Sequence, residues 1–203
     1  MYKRKLNQQQ EQQVFLLAFR PAQTLAEEGS FQSRPTWFLA FQGTASLKDL
    51  MTDLYAPPTT LTPQGSFHSG FYGRTELFPL SRCVRWLQEG CNVVFTGHSL
   101  GGAVASVACV RVLTSGALHS PSLRKRVWCI TFGQPLIGDK SLSNIMSEKD
   151  QLGARFHLLT NRRDPIPKLL NVVANLCAAF NTFTKHRKVM KVLVNIPYST
   201  RLS

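Results

Sequence analysis

Asn92-Val93-Val94-Phe95-Thr96-Gly97-His98-Ser99-Leu100-Gly101-Gly102-Ala103-Val104-Ala105-Ser106-Val107-Ala108 is the stretch whose reading decides the fold. An apolar, β-branched run of strand length ends at Gly97. A small-residue helical segment begins just past Ser99. A serine between two glycines at positions −2 and +2 sits on a sharp strand-to-helix turn, where a side chain at either glycine would collide with the neighbouring strand or helix. The turn lifts the serine hydroxyl off the end of the sheet. It also aims the first free helical N–H groups, starting with Leu100, at any negative charge that develops there. One short pattern thus proposes a nucleophile and half of an oxyanion hole. The plain alternative is a Gly/Ser-rich turn that matches by chance, and the strand before and helix after it argue against that.

Outward from this stretch, strands alternate with helices. Thr36–Phe41 reads as a strand ending at Gly43. Ser46–Tyr55 reads as a short amphipathic helix, followed by a loop punctuated by Pro57-Pro58, Pro63 and Gly65. Thr75–Gln88 has apolar residues at helical spacing (Leu77, Leu80, Val84, Leu87), with Pro79 marking its first turn or a kink. Further strands are predicted at Val127–Phe132, Arg155–Thr160 and Val189–Ile196, with helices at Lys140–Lys149 and Leu169–Phe180. This alternation predicts an α/β fold: a mostly parallel central sheet with helices on both faces. A polar tail over 1–13 precedes one domain over 14–203.

The chain has 203 residues, of which 43% are hydrophobic and 17% charged, so it can bury a real core. No apolar run reaches the ~20 residues of a membrane-spanning helix. Met1-Tyr2-Lys3-Arg4-Lys5 looks like a charged leader, but Gln8–Gln13 follows where an apolar core belongs. Val14–Phe19 is short and lacks a small-residue cleavage site. Five cysteines without C-x-x-C spacing read as buried free thiols in a reducing compartment. The expected location is therefore cytoplasmic, with peripheral contact at membranes or lipid droplets as an option.

The net charge of +13 is uneven: from Arg155 onward stand nine Lys/Arg and one acid, Asp164. Such a surface attracts anionic lipid headgroups, or is simply solvated. No zinc-finger, helix-turn-helix or RNA-binding signature accompanies it, which argues against nucleic acid as a partner. Oligomeric state is not readable.

A serine nucleophile needs an imidazole to take its proton and a carboxylate to orient that imidazole. In the chain order Ser, acid, His, Asp164 is the acid: it follows the strand 155–160 in Asn161-Arg162-Arg163-Asp164-Pro165-Ile166-Pro167. The plain reading of Asp164 is a turn former or a partner for Arg162 and Arg163. His98 lies inside the turn and points away, His68 comes too early, His119 sits in a surface loop, and His157 packs within a strand. Only His186, in Thr184-Lys185-His186-Arg187-Lys188, follows Asp164 on a loop. Its three basic neighbours also fit a plain surface role.

Five segments in order carry a family resemblance: Phe41-Gln42-Gly43-Thr44, His68-Ser69-Gly70-Phe71, Gly97–Ala103, Thr131-Phe132-Gly133-Gln134-Pro135 and Asn161–Pro167. Across about residues 36–170 the chain resembles the class 3 (fungal-lipase-like) lipases, a branch of the α/β-hydrolases. The resemblance implies Ser99 as nucleophile, Asp164 as acid, and an oxyanion hole of Leu100 N–H with Thr44. It implies that Ser46 to about Pro57 is a lid, with Leu47, Leu50, Met51 and Leu54 on one face; an ordinary surface helix is the other reading. Two departures stand out. Gln42 occupies a position where arginine is common, and the family's histidine ordinarily lies further past the aspartate than His186 does. The expectations are two: His186 is the general base, or the base lies outside these residues and the domain is C-terminally truncated.

The implied function is hydrolysis of carboxylic esters of lipids by a Ser-His-Asp mechanism, with no metal or organic cofactor. The alternative is a catalytically impaired lipase-like domain that binds lipid or protein.

Overall fold

Strand β5, Asn92–His98, is the axis of the molecule, and its residues 92–95 are buried on both faces. That is the signature of a central strand in a parallel sheet, where a continuous apolar run replaces alternation. The structure, a computed structural model, describes residues 15–23, 27–28, 30–43, 58–62, 65–76, 78–138, 140–148 and 152–160. Among these, β1 (Phe15–Arg20), β2 (Thr36–Phe41), β5, β6 (Val127–Phe132) and β7 (Phe156–Leu159) form one sheet in the order β1-β2-β5-β6-β7. The pairs β2/β5, β5/β6 and β6/β7 are parallel. Strand β1 alone is antiparallel, pairing Phe15 with Phe41 and Arg20 with Thr36.

Helix α3, Leu100–Leu113, is buried at every position but Arg111. A helix that is apolar all round must lie under cover on every side. It packs on β5, β6 and β2. Helix α2, Leu80–Gln88, is two-sided instead: Cys83, Val84, Trp86 and Leu87 face inward. Its Trp86 stacks on Trp37 of β2 with ring centroids 4.5 Å apart. Beside this pair, Phe41, Phe78 and Phe95 meet at 5.5–6.4 Å. Such contacts add about 0.5–1.5 kcal/mol each beyond area burial.

The expected helix from Thr75 starts only at Leu80. Pro79 lacks an N–H and fixes φ at the start of the helix, and just before it the Phe78 N–H donates to the Thr75 carbonyl at 3.1 Å. Helix α1 (Ser69–Gly73) precedes it and is tied to α3 by Arg111. That guanidinium donates to the carbonyl and hydroxyl of Thr75 and lies 4.9 Å over the Tyr72 ring.

The stretch expected to be loop contains a hairpin, β3 (Pro58–Thr62) and β4 (Gly65–His68). Strand β4 is fastened to the loop after β6 by the His68 N–H to Ile137 carbonyl bond of 3.0 Å and a bridge between Phe67 and Gly138. Helices α4 (Pro121–Arg124) and α5 (Lys140–Glu148) and a 3-10 turn (Leu152–Arg155) complete the described elements. Among the described residues no helix is long and apolar enough to cross a membrane. The expected tail 1–13, lid 46–57, helix Leu169–Phe180 and strand Val189–Ile196 lie outside the described residues.

Cys83, Cys91, Cys109 and Cys129 are buried and unpaired, as their apolar neighbours predict. Burial pushes the Cys83 thiol up to about 12, and burial, with help from Cys129, also raises Cys109 well above its ordinary value.

Candidate active site

Ser99 has φ 54° and ψ −126°, and it is the only non-glycine residue with positive φ among the described residues. A backbone of this kind costs of order 1–3 kcal/mol and persists only where its surroundings enforce it. The enforcement is visible. The Ser99 N–H donates to the Phe132 carbonyl at 2.9 Å, and the Ser99 carbonyl accepts from Gly102 and Ala103 at 3.0 and 3.2 Å. The serine is thus pinned between the end of β6 and the first turn of α3.

Glycines make that pinning sterically feasible. A Cβ on Gly101 would strike the Phe41 carbonyl oxygen and lie 2.8 Å from the Gly43 nitrogen. One on Gly97 would strike the carbonyl carbon of Gly101 and lie 2.7 Å from the Gly102 nitrogen. One on Gly43 would sit 2.7 Å from the His98 carbonyl oxygen. The end of β2 and the turn after β5 therefore touch backbone to backbone, with no room for a side chain between them.

Two donors remain at the mouth. Among the described residues no backbone carbonyl accepts from the N–H of Leu100 or Gly101, while those of Gly102 and Ala103 are spent. These N–H groups stand at the start of a 14-residue helix, the positive end of its dipole, directly after Ser99 in the chain. Ser99 itself is 4% exposed.

The segment after β6 braces the arrangement. Gln134 Oε1 accepts a 2.6 Å hydrogen bond from the Ser106 hydroxyl, one and a half turns into α3. The Ser106 hydroxyl also lies 3.4 Å from Cys129 Sγ. Both are buried polar groups that satisfy one another, which fixes α3 along β6. The Gln134 and Thr131 side chains close over Gly102. The signal was present in Thr131-Phe132-Gly133-Gln134-Pro135, but only the fold gives Gln134 its partner.

His98 and His119 are exposed, and His157 stacks on Trp128 at 5.7 Å. His68 is buried and stacks on Phe71 at 4.4 Å. Among the described residues no side chain hydrogen-bonds to Ser99. Thr44, Asp164 and His186 lie outside the described residues, although Gly43, which precedes Thr44, abuts the serine turn. No group of three metal-ligating side chains occurs among the described residues.

Residues 38–174 match the family Lipase (class 3). The lipase of Rhizomucor miehei is 27% identical over 144 residues, covering 68% of this chain and 38% of that protein. "Lipase-like PAD4" of Arabidopsis thaliana is 40% identical over 79 residues, covering 39% of this chain and 14% of that protein. A triacylglycerol lipase structure described as having a serine protease triad as its catalytic centre superposes with a TM-score of 0.54 at 25% identity. That superposition covers 66% of this chain and 51% of the other. The chain spans 12–40% of the length of the curated relatives it matches. The architecture is that of an α/β-hydrolase, and because the family match runs through the serine turn and the strand end that seats it, this chain belongs to the class 3 lipase family.

Proposed function

We propose that this chain is a serine hydrolase acting on carboxylic esters of lipids, with Ser99 as its nucleophile. The observation that carries the proposal is the strained backbone of Ser99, followed by two helical N–H groups with no backbone acceptor among the described residues. Strain of this kind at a serine has no structural benefit of its own, and its place between a strand end and a helix N-terminus supports a nucleophilic role.

In the proposed reaction Ser99 Oγ attacks the ester carbonyl carbon and its proton passes to an imidazole. The carbonyl oxygen, now negative, is held by the Leu100 N–H and by Thr44. The C–O bond to the alcohol breaks, and the imidazolium proton goes to that leaving alcohol. Water then attacks the acyl-serine with the same imidazole as base, releasing the carboxylic acid and restoring Ser99. Asp164 orients the imidazole and stabilises its charged form. His186 is the base this chain itself offers; a base from outside these residues is the other source. No step calls for a metal or an organic cofactor.

The segment from Ser46 to about Pro57 would cover the acyl site, and the basic C-terminal half would favour an anionic membrane surface. Four buried, unpaired thiols support a reducing, cytoplasmic setting. A second reading, an impaired lipase-like module that binds lipid or protein, is favoured by the similarity to a plant protein that is itself called lipase-like.

Hydrolysis of a short-chain nitrophenyl ester by the purified chain, beside Ser99→Ala, Asp164→Asn and His186→Ala, tests these readings. Activity lost in all three variants supports a triad within the chain. Activity lost in Ser99→Ala but kept in His186→Ala moves the base elsewhere. A folded protein with no Ser99-dependent turnover favours the binding module.

A further inference from the structure

The opposite end of the sheet carries a second constellation. Residues 34 and 126 precede β2 and β6, and Asn92 opens β5 between them. The Asn92 N–H donates to the Pro35 carbonyl at 2.8 Å and the Val93 N–H to the Arg126 carbonyl at 2.9 Å, so the backbone ladder itself sets Arg34 and Arg126 around Asn92. Between them lies a concavity of about 330 Å³, lined by Arg34, Lys125 and Arg126 with Ser30 and Ser122; Ser30 Oγ accepts from the Ser33 N–H at 3.3 Å, and Ser122 Oγ lies 2.8 Å from Ser120 Oγ. Its wall is aromatic, Phe31 meeting Trp128 edge-on at 6.1 Å.

Three cations line this concavity. Among the described residues no acid lines it; Glu27 and Glu28, on the loop that contributes Ser30 and Phe31, are not among its lining residues. Among the described residues neither Arg34, Lys125 nor Arg126 donates a side-chain hydrogen bond or pairs with a carboxylate. Burial and the nearby Arg34 lower the pKa of the Arg126 guanidinium, so each charge resists its neighbour. Arg34 and Lys125 are exposed and Arg126 is half-buried. The backbone that carries Lys125 is held in place: Arg155 donates to the Lys125 carbonyl at 3.0 Å and lies 4.5 Å over the Trp128 ring. The Asn92 amide is committed to the Phe31 carbonyl at 3.0 Å and Thr36 Oγ1 at 3.4 Å, which holds the floor.

We propose that Arg34, Lys125 and Arg126, with Ser30 and Ser122, form a binding site for a phosphate monoester on the sheet end opposite Ser99. A carboxylate is satisfied by one guanidinium fork, whereas a doubly charged tetrahedral group uses cations arriving from three directions and hydroxyl donors between them. The volume exceeds that of the ion alone and leaves room for an organic remainder against Phe31 and Trp128. A compact concavity is also unlike the extended basic stripe that tracks nucleic acid. β5 spans seven residues, so the site lies roughly 20 Å from the serine turn. The bound phosphate is therefore a second ligand and not part of the scissile ester.

Calorimetric titration of the full chain with glycerol 3-phosphate and with inorganic phosphate, in low-salt buffer free of other multivalent anions, tests the site. Flotation with phosphatidylcholine vesicles, with and without phosphatidate, distinguishes a soluble phosphate from a lipid headgroup. Saturable binding to either source is expected, weakened about tenfold or more by Arg34→Gln, Arg126→Gln or the exposed Lys125→Gln. It should strengthen from pH 5.5 to 7.5 as the phosphate takes its second charge. Ser99→Ala and the α2 surface variant Arg82→Gln/Arg85→Gln should bind as the parent does. Binding of glycerol 3-phosphate makes the ligand soluble; binding only of phosphatidate vesicles, lost in the same variants, makes it a headgroup. Absence of saturable binding to both, or equal loss in Arg82→Gln/Arg85→Gln, overturns the proposal. Far-UV circular dichroism and urea midpoints confirm that each variant is folded.

Discussion

The two ends of the parallel sheet solve opposite problems. At the carboxyl end, where Ser99 sits, three glycines (Gly43, Gly97 and Gly101) let backbone touch backbone, and the one strained non-glycine residue among those described is small and buried. At the amino end, long cationic side chains surround an open concavity, and no glycine is needed. The first end stores its free energy as conformational strain held by hydrogen bonds. The second stores it as repulsion between like charges. Strain of the first kind cannot be screened and depends on every neighbouring atom; repulsion of the second kind falls with salt and with a bound anion.

Variants break this comparison in order of size. Ser99→Ala should lower ester hydrolysis by at least about a thousandfold, read from steady-state rates, with little loss of stability. Ser99→Gly should remove the nucleophile equally yet raise the urea midpoint, because glycine accepts positive φ and releases part of the roughly 1–3 kcal/mol of strain. A fall in stability in Ser99→Gly would show that the turn is not strained.

Gly101→Ala should cost about 3 kcal/mol or more and reduce turnover as well, since its methyl meets only backbone of β2 and the loop after it. Gly116→Ala, with nothing within 4 Å and no positive φ, should be neutral or stabilising by about 0.4–1 kcal/mol. Equal effects at the two positions, measured by urea unfolding, would remove the steric account of the serine turn.

Both ends rest on the same core, and the buried thiols report on it. Because the folded Cys83 pKa is raised to about 12 from 9.0, the folded state keeps a proton that the unfolded chain loses above pH 9. Its contribution is therefore fully present below pH 9 and is lost as pH rises towards 12, by up to about 1.4 kcal/mol per pH unit for each such thiol. Urea midpoints between pH 8 and 10.5 should fall, and less steeply in Cys83→Ala.

The smallest effect belongs to the amino end. Arg34→Gln should raise the unfolding midpoint in low salt without phosphate, by removing a charge that opposes Arg126, and the gain should shrink as salt is added. The same change should lower the midpoint relative to the parent once saturating phosphate is present.

Legibility in the sequence followed locality. The helix-period pattern of Val84 and Leu87 and the continuous apolar run of β5 are local, and both stand where they were read. Strand β1 was missed because an edge strand takes its order from the ladder with β2 and carries only a weak pattern of its own. The β3–β4 hairpin was missed because Pro58 and Gly65 read as punctuation, yet both stand at strand starts. Helix α2 was read five residues too long because apolar spacing continues past the proline that resets it. The partnership of Ser106 with Gln134 joins residues 28 apart in sequence, which no window spans.

The sequence by itself determined the central strand, the serine turn and the helix behind it, because glycine spacing, β-branched runs and small helical residues act on their immediate neighbours. Only the tertiary structure decided that Gly101 must accept the end of β2 and that Gln134 braces α3. It alone decided that Arg34 and Arg126, 92 positions apart, face the same space. Those outcomes depend on strand order and register, and register is fixed by the whole sheet's hydrogen bonds and packed faces together.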